Sequence, residues 1–145
     1  ETILHEDFAQ ETIMSVKFRI QNLENKKQNS EWKYILININ KQSVDRYNID
    51  KIVQFCENYP DHKKLFFPCD MNDDKFCFST IKKYISGLEM YDWTKHSLIE
   101  SLSLFYHADG GIGARLHFLL PLKLYGKPIV AIPYADKINK LIIKK

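Results

Sequence analysis

The densest group of residues that could do chemistry runs from Asp109 to His117, Asp-Gly-Gly-Ile-Gly-Ala-Arg-Leu-His. Three of the chain's five glycines lie here, directly before an apolar stretch that is typical of a helix. Glycines at such a turn let the backbone come close to a ligand, and the first N–H groups of a helix attract negative charge. Arg115 adds a planar guanidinium that matches two oxygens of a carboxylate or phosphate. The segment therefore predicts an anion-binding turn.

His117 follows two residues after Arg115 and supplies an imidazole, which can transfer a proton near neutral pH. In a regular helix these two side chains would point about 200° apart, so a shared target requires an irregular first turn. A structural interpretation stays open, because the arginine could be part of a helix cap and the histidine an ordinary exposed side chain. The dinucleotide-binding fingerprint is excluded, since the glycines at 110, 111 and 113 do not have its spacing.

The elements that must position this segment alternate between strand and helix. Residues 34–40 (YILININ) have the apolar, β-branched composition of a strand buried on both faces of a parallel sheet. Apolar residues at 49, 52, 53 and 56 then predict a helix over 48–59, and Ser97 with Glu100 predicts a capping box. We expect an α/β fold, a Rossmann-like parallel sheet flanked by helices, with further strands at 65–67, 88–91, 109–113 and 129–132. Ligands bind such sheets outside the carboxyl ends of the strands.

Residues 1–33 fit this alternation poorly, and we interpret them as a linker or hinge segment from a missing N-terminal half. Residues 34–145 would then be the Rossmann-like domain. The chain begins at Glu1 without a helix cap or a turn, so we expect it to be a fragment of a larger protein.

The composition narrows the classes of function. The chain is 45% hydrophobic, which is enough to bury a core and excludes a disordered chain. Its 21 basic and 18 acidic residues are interspersed, so we expect no nucleic-acid partner. The three cysteines include no Cys-x-x-Cys pair, which favours a reducing compartment and argues against a structural zinc. No apolar run is long enough to span a membrane, and we expect a soluble domain.

The stretch GIGARLHFLLPLKLYGKPIVAIPYADKINKL, with the Ala-Asp before it, resembles the end of polysaccharide pyruvyl transferase domains. That family reads Ala-Asp, two apolar residues, Gly-x-Arg-Leu-His, an apolar helix, Gly-x-Pro, an apolar strand and Tyr-x-x-Lys. The matching residues here are Ala108, Asp109, Gly113, Arg115, Leu116, His117, Gly126, Pro128, Tyr134 and Lys137. The resemblance extends loosely back to Tyr34 and implies the C-terminal half of a two-domain, GT-B-like enzyme.

Members of this family move a pyruvyl group from phosphoenolpyruvate onto sugar hydroxyls, forming a cyclic ketal in cell-surface glycans such as exopolysaccharides or cell-wall polymers. The resemblance implies phosphoenolpyruvate as the donor, no cofactor or metal, and a glycan or lipid-linked saccharide as the acceptor. It also implies a cytoplasmic enzyme that can lie peripherally at the inner face of the membrane. The acceptor site would lie on the missing N-terminal domain, so this chain alone is expected to be inactive.

By resemblance, Arg115 and His117 are the catalytic candidates. Arg115 would hold the anionic groups of the donor, and His117 would bind the donor or act as the acid or base. Lys137 would complement phosphate charge, with an ordinary start of a solvated helix as its alternative role. The complete donor-binding set is Gly113, Arg115, Leu116, His117, Tyr134 and Lys137.

Three features depart from the family pattern. The family often carries an arginine after the strand that opens this half, whereas residues 38–41 here are Asn-Ile-Asn-Lys. Either Lys41 or Arg46 substitutes for it, or donor binding is impaired. Residues 110–111 are glycines in place of an apolar pair, and Pro121 falls within the expected helix, where its missing N–H predicts a kink.

Two other functions remain open. The chain could be a glycosyltransferase half that holds a nucleotide sugar, with Glu100 or Asp136 as the acidic residue for the ribose. It could instead be a non-catalytic relative that acts as a binding module, which the missing arginine and the glycine pair would favour.

Overall fold

The sheet is built from five short strands, all parallel, with helices packed on both faces. The computed structural model describes residues 10–24 and 33–132. The predicted α/β class with a Rossmann-like parallel sheet is confirmed. The helices are α1 (Gln10–Glu24), α2 (Arg46–Glu57), α3 (Met71–Ile81), α4 (Leu98–His107) and α5 (Leu116–Leu124), and the strands are β1 (Tyr34–Ile37), β2 (Lys63–Phe66), β3 (Glu89–Met90), β4 (Gly111–Gly113) and β5 (Ile129–Ala131).

The strand order is β3-β2-β1-β4-β5, the order of Rossmann-type sheets. From β1 the chain adds β2 and β3 on one side, and then returns to place β4 on the other side of β1. Leu36 of β1 is aligned with Gly111 of β4, and Ile37 with Ile112. The strand order therefore reverses between β1 and β4, and in such sheets the crevice outside that point is the usual ligand site.

The alternation of side chains along β1 divides the core between the two faces of the sheet. Tyr34 and Leu36 belong to the cluster that includes α1, α4 and α5. Ile35 and Ile37 belong to the opposite cluster, which includes α2 and α3. All four residues of the strand are buried, which explains its uninterrupted apolar sequence.

Helix α1 lies within residues 1–33, the segment assigned above to a linker or hinge. Ile13, Val16 and Ile20 on this helix are buried in the core that α4 and α5 share. In addition, the Tyr125 hydroxyl donates a hydrogen bond to the Ile13 carbonyl oxygen at 2.7 Å. Helix α1 is therefore packed as part of the domain, while a domain boundary at residue 33 stays a prediction.

Short-range signals set several element ends. The Ser97 hydroxyl accepts from the Glu100 N–H at 3.1 Å, and the Glu100 carboxylate accepts from the Ser97 N–H at 2.8 Å, which confirms the capping box. Gly126 follows α5 with a φ of +76°, a conformation that favours glycine. Helix α5 continues through Pro121 to Leu124, and the kink expected at this proline stays a prediction.

The solvated helix that Lys137 could begin falls outside the described residues. Within residues 10–24 and 33–132, no helix is both long and apolar enough to cross a bilayer.

Candidate functional site

The carboxyl ends of β1 and β4 bring two polar segments together at one edge of the sheet. Asn38 follows β1, and Arg115 follows β4 after the buried Ala114. The Asn38 side-chain oxygen accepts a hydrogen bond from the Arg115 backbone N–H at 3.3 Å, which ties the two segments. The sequence-predicted candidates Arg115 and His117 therefore lie at the edge where α/β sheets bind ligands.

Arg115 is the residue that precedes α5, and its backbone is extended, with φ −93° and ψ 138°. Its guanidinium makes a bidentate contact with Asp74 on α3: Nη2 donates to Oδ1 at 2.9 Å, and Nε lies 3.1 Å from both carboxylate oxygens. Such a fork-to-carboxylate pair fixes the orientation of the guanidinium as well as its position. The Nε–Nη2 edge of Arg115 is thus committed to a partner within the protein.

Asp74 is completely buried, and donors surround its carboxylate. Besides Arg115, Oδ2 accepts from the Asn38 side-chain amide at 3.0 Å and from the Cys69 backbone N–H at 2.9 Å. Asn38 also donates to the Phe67 carbonyl oxygen at 2.8 Å. A buried charge is tolerated only when it is paired and hydrogen-bonded, and this network meets that requirement. It joins the ends of β1, β2 and β4 to α3.

Two of the three glycines of the motif lie in a buried strand instead of an open turn. Gly111 and Gly113 are the first and last residues of β4 and are buried within the sheet. A Cβ atom on Gly113 would lie 2.5 Å from the Phe118 ring and 3.1 Å from the Asn38 Cβ, and one on Gly111 would collide with Leu122. The prediction of an open glycine turn is therefore wrong. These residues are small because α5 packs its own side chains against β4.

His117 lies in the first turn of α5 with an exposed side chain, while Leu116 before it is half-buried. The Arg115 side chain makes no capping hydrogen bond to this turn. The exposed imidazole is a group that a ligand at the crevice could meet. Tyr134 and Lys137, the other two residues predicted to bind the donor, lie outside the described residues.

Lys41 and Arg46 were the two candidates for the missing family arginine, and they occupy different surroundings. Lys41 follows β1, and its Nζ lies 3.6 Å from Asp73 Oδ1; the other Asp73 oxygen is 4.0 Å from Arg115 Nη2. Arg46 instead pairs with Asp50, one turn along α2, at 3.3 Å. Of these two residues, Lys41 joins the Arg115 cluster, where among the described side chains it and Arg115 face the carboxylates of Asp73 and Asp74.

Asn40 adds an unusual feature at the end of β1. It is completely buried, and its side-chain oxygen accepts from the Ser43 hydroxyl at 2.6 Å. Its side-chain nitrogen has no hydrogen-bond partner in the described part of the chain. A buried donor without a partner is costly, and such groups are uncommon in folded proteins.

Asp109, the first polar residue of the motif, belongs to the opposite edge of the sheet. It precedes β4, and its carboxylate lies 2.8 Å from Nε2 of His62. The Asp109 N–H also donates to the Tyr34 carbonyl oxygen at 3.0 Å. The length of β4 therefore separates Asp109 from Arg115, and Asp109 fixes the entry to the strand.

The cysteines offer no reactive thiolate near the site. All three are free and buried. Burial raises the pKa of Cys69 well above its usual value, and the neighbouring Asp74 carboxylate raises it further. No group of His, Cys, Asp and Glu side chains in the described residues could hold a metal ion.

Asp73 and Asp74 were not predicted from the sequence, and Asp74 is the partner of Arg115 in the buried pair. The two residues of the pair are 41 positions apart, and nothing in the spacing links them. One signal was available: Asp74 lies in the first turn of α3, the helix that follows β2 and begins at the carboxyl edge of the sheet.

Comparison with known proteins identifies no relative: no family model, curated protein or solved structure matches this chain.

Proposed function

We propose that this chain is the donor-binding domain of a polysaccharide pyruvyl transferase. In this proposal it binds phosphoenolpyruvate at the carboxyl edge between β1 and β4. A partner domain presents the sugar hydroxyls that receive the pyruvyl group as a ketal. The observation that carries the proposal is that the family-like Arg-Leu-His segment, residues 115–117, begins α5 at the point where the strand order reverses.

The reaction needs a proton donor and fixed contacts to negative charge. Protonation of the methylene carbon of phosphoenolpyruvate makes it a methyl group and leaves positive character on the neighbouring carbon. One sugar hydroxyl adds to that carbon, the phosphate leaves, and a second hydroxyl closes the ketal. Of the two protons that the hydroxyls release, one replaces the proton given to the methylene carbon and the other leaves with phosphate.

The exposed His117 is the residue we assign to this proton transfer. Arg115 and Lys41 supply positive charge for the carboxylate and phosphate of the donor. The Asp74 carboxylate acts on Arg115 and not on the donor, since it is buried and holds the guanidinium in one orientation. Gly113 is reassigned from ligand contact to packing, because Phe118 fills the space above it.

A non-catalytic binding module is the second candidate. The Arg115–Asp74 pair and the filled space above Gly113 give both motif residues a structural role that needs no ligand. The nucleotide-sugar alternative gains no comparable support. Of its two acidic candidates, Glu100 is engaged in the capping box with Ser97, and Asp136 lies outside the described residues.

Calorimetric titration with phosphoenolpyruvate tests the proposal. The variants are His117→Ala and, as a matched control, His107→Ala, which removes an exposed histidine at the opposite edge of the sheet. We expect the wild-type chain to bind, His117→Ala to bind about tenfold more weakly, and His107→Ala to match wild type; a tenfold loss equals about 1.4 kcal/mol, the size of one hydrogen bond to a charged group. If none of the three binds phosphoenolpyruvate, the non-catalytic candidate replaces the enzyme.

A further inference from the structure

Asp73 lies between the two cations of the crevice and is hydrogen-bonded to neither. One of its oxygens is 3.6 Å from Lys41 Nζ, and the other is 4.0 Å from Arg115 Nη2. Both distances exceed the range of about 2.7–3.2 Å for an N–H···O hydrogen bond. In this arrangement the Asp73 carboxylate therefore reaches neither cation at hydrogen-bond distance.

Asp74, the next residue, differs from Asp73 in how firmly its carboxylate is held. Its carboxylate is completely buried and accepts from Arg115, Asn38 and the Cys69 backbone, so it cannot leave without exposing unpaired donors. The Asp73 side chain is 46% exposed, and no described residue hydrogen-bonds to its carboxylate. Exposed ion pairs of this kind contribute about 0–1 kcal/mol, so Asp73 can turn into solvent at little cost.

We propose that Asp73 is an internal competitor of the ligand, occupying the gap between Lys41 and Arg115 that the ligand's phosphate group takes in the complex. The ligand class is a small organic phosphate or inorganic phosphate. A phosphate has three or four acceptor oxygens, carries up to two negative charges and is not tethered to α3, so it can settle between the two cations and accept from both. This inference rests on the proposed function, since it specifies how the same crevice admits its donor.

Charge balance supports the same conclusion. Among the described side chains, the positive charges of Lys41 and Arg115 face the carboxylates of Asp73 and Asp74. A ligand anion that enters between the two cations is repelled by both carboxylates, and this repulsion falls when one of them moves away. Asp74 is held in place, so Asp73 is the carboxylate that moves.

The test compares Asp73→Asn with Asp50→Asn, a control that removes an exposed carboxylate paired with Arg46 on α2. Binding of inorganic phosphate and of phosphoenolpyruvate is measured by calorimetry, and thermal melting checks that both variants are folded. We expect Asp73→Asn to bind both ligands about two- to fivefold more tightly than wild type, the gain from removing a weak competing pair. Asp50→Asn should match wild type.

A second variant tests whether the gain in phosphate affinity comes from the gap between Lys41 and Arg115. In a Lys41→Met background, the same Asp73→Asn change should tighten phosphate binding by less than twofold, because one of the two cations is gone. If Asp73→Asn tightens phosphate binding as much in the Lys41→Met background as in wild type, the ligand does not take the gap between Lys41 and Arg115, and the proposal is overturned.

The outcomes separate this inference from the proposed function. If wild type binds phosphoenolpyruvate at residues 115–117 and Asp73→Asn binds it equally or less tightly, the competitor role is wrong and the function stands. Tighter phosphate binding by Asp73→Asn without any binding of phosphoenolpyruvate supports the competitor and removes the pyruvyl donor. If no variant binds either anion, both fail.

Discussion

Replacing Asp74 by asparagine should destabilise the domain far more than its conservative chemistry suggests. The change keeps the shape of the side chain but removes the charge that Arg115 faces at 2.9 Å. It also turns one acceptor oxygen into an N–H donor, which must then face donors from Arg115 or from Asn38 and Cys69. In either orientation of the amide, its N–H group faces other donors: Arg115 in one, and Asn38 and Cys69 in the other.

The magnitude follows from burial. Breaking a buried ion pair by removing one partner costs about 3–5 kcal/mol. The Asp74 side chain is 0% exposed, whereas the Arg115 side chain is 23% exposed, so water solvates part of the guanidinium that is left behind. We therefore expect Asp74→Asn to lower the free energy of unfolding by about 2–4 kcal/mol, below the upper end of that range.

Urea denaturation followed by circular dichroism measures this loss. Asp73→Asn is the matched control: it lies one residue away with a 46% exposed side chain, and it should change the free energy of unfolding by less than about 1 kcal/mol. The double variant Asp74→Asn with Arg115→Met should recover part of the loss, because the guanidinium that has lost its carboxylate is then removed, and the amide oxygen can still accept from Asn38 and Cys69. Equal midpoints and slopes for Asp74→Asn and Asp73→Asn would refute the argument.

Three further predictions concern packing, pH and thiol chemistry. Gly113→Ala should lower the free energy of unfolding by about 1–3 kcal/mol in the same assay, because its Cβ would lie 2.5 Å from the Phe118 ring; no change in midpoint would contradict this. The hydrogen bond from the Ser97 N–H lowers the pKa of Glu100 in the folded state. The carboxylate therefore stabilises the fold at pH values above its unfolded-state pKa, and this stability is lost as the pH falls through the folded-state pKa. Between about pH 5 and 3, the melting temperature of Glu100→Gln should fall less steeply than that of wild type. Burial raises the pKa of Cys56 to about 11, so iodoacetamide at about pH 8 should label it fully only in urea, as mass spectrometry would show.

The architecture could be predicted because its signals are local. The apolar run from Tyr34 to Ile37 reports burial on both faces of the sheet, and the capping box at Ser97 and Glu100 depends on residues three apart. Gly126 ends α5 through its own backbone conformation. Each of these signals depends only on residues a few positions apart, so it can be recognised in the sequence without knowledge of the fold.

The structure of the site could be predicted only in part. The location of residues 115–117 followed from parallel-sheet topology, which puts loops after the strands at one edge. The partner of Arg115 did not follow, because Asp74 comes from a different crossover. The glycines were misinterpreted for the same reason: Phe118 reaches back over Gly113, and a contact between helix and strand leaves no local sign that separates it from a ligand contact.

The most direct test of the anion site is a titration of the ¹⁵N-labelled chain with phosphoenolpyruvate, followed by amide chemical shifts. We expect saturable shifts that are largest at Leu116, His117 and Lys41, at the carboxyl edge between β1 and β4. Asp109 at the opposite edge should not move. An unchanged spectrum at saturating phosphoenolpyruvate, or shifts centred on Asp109, would contradict the account.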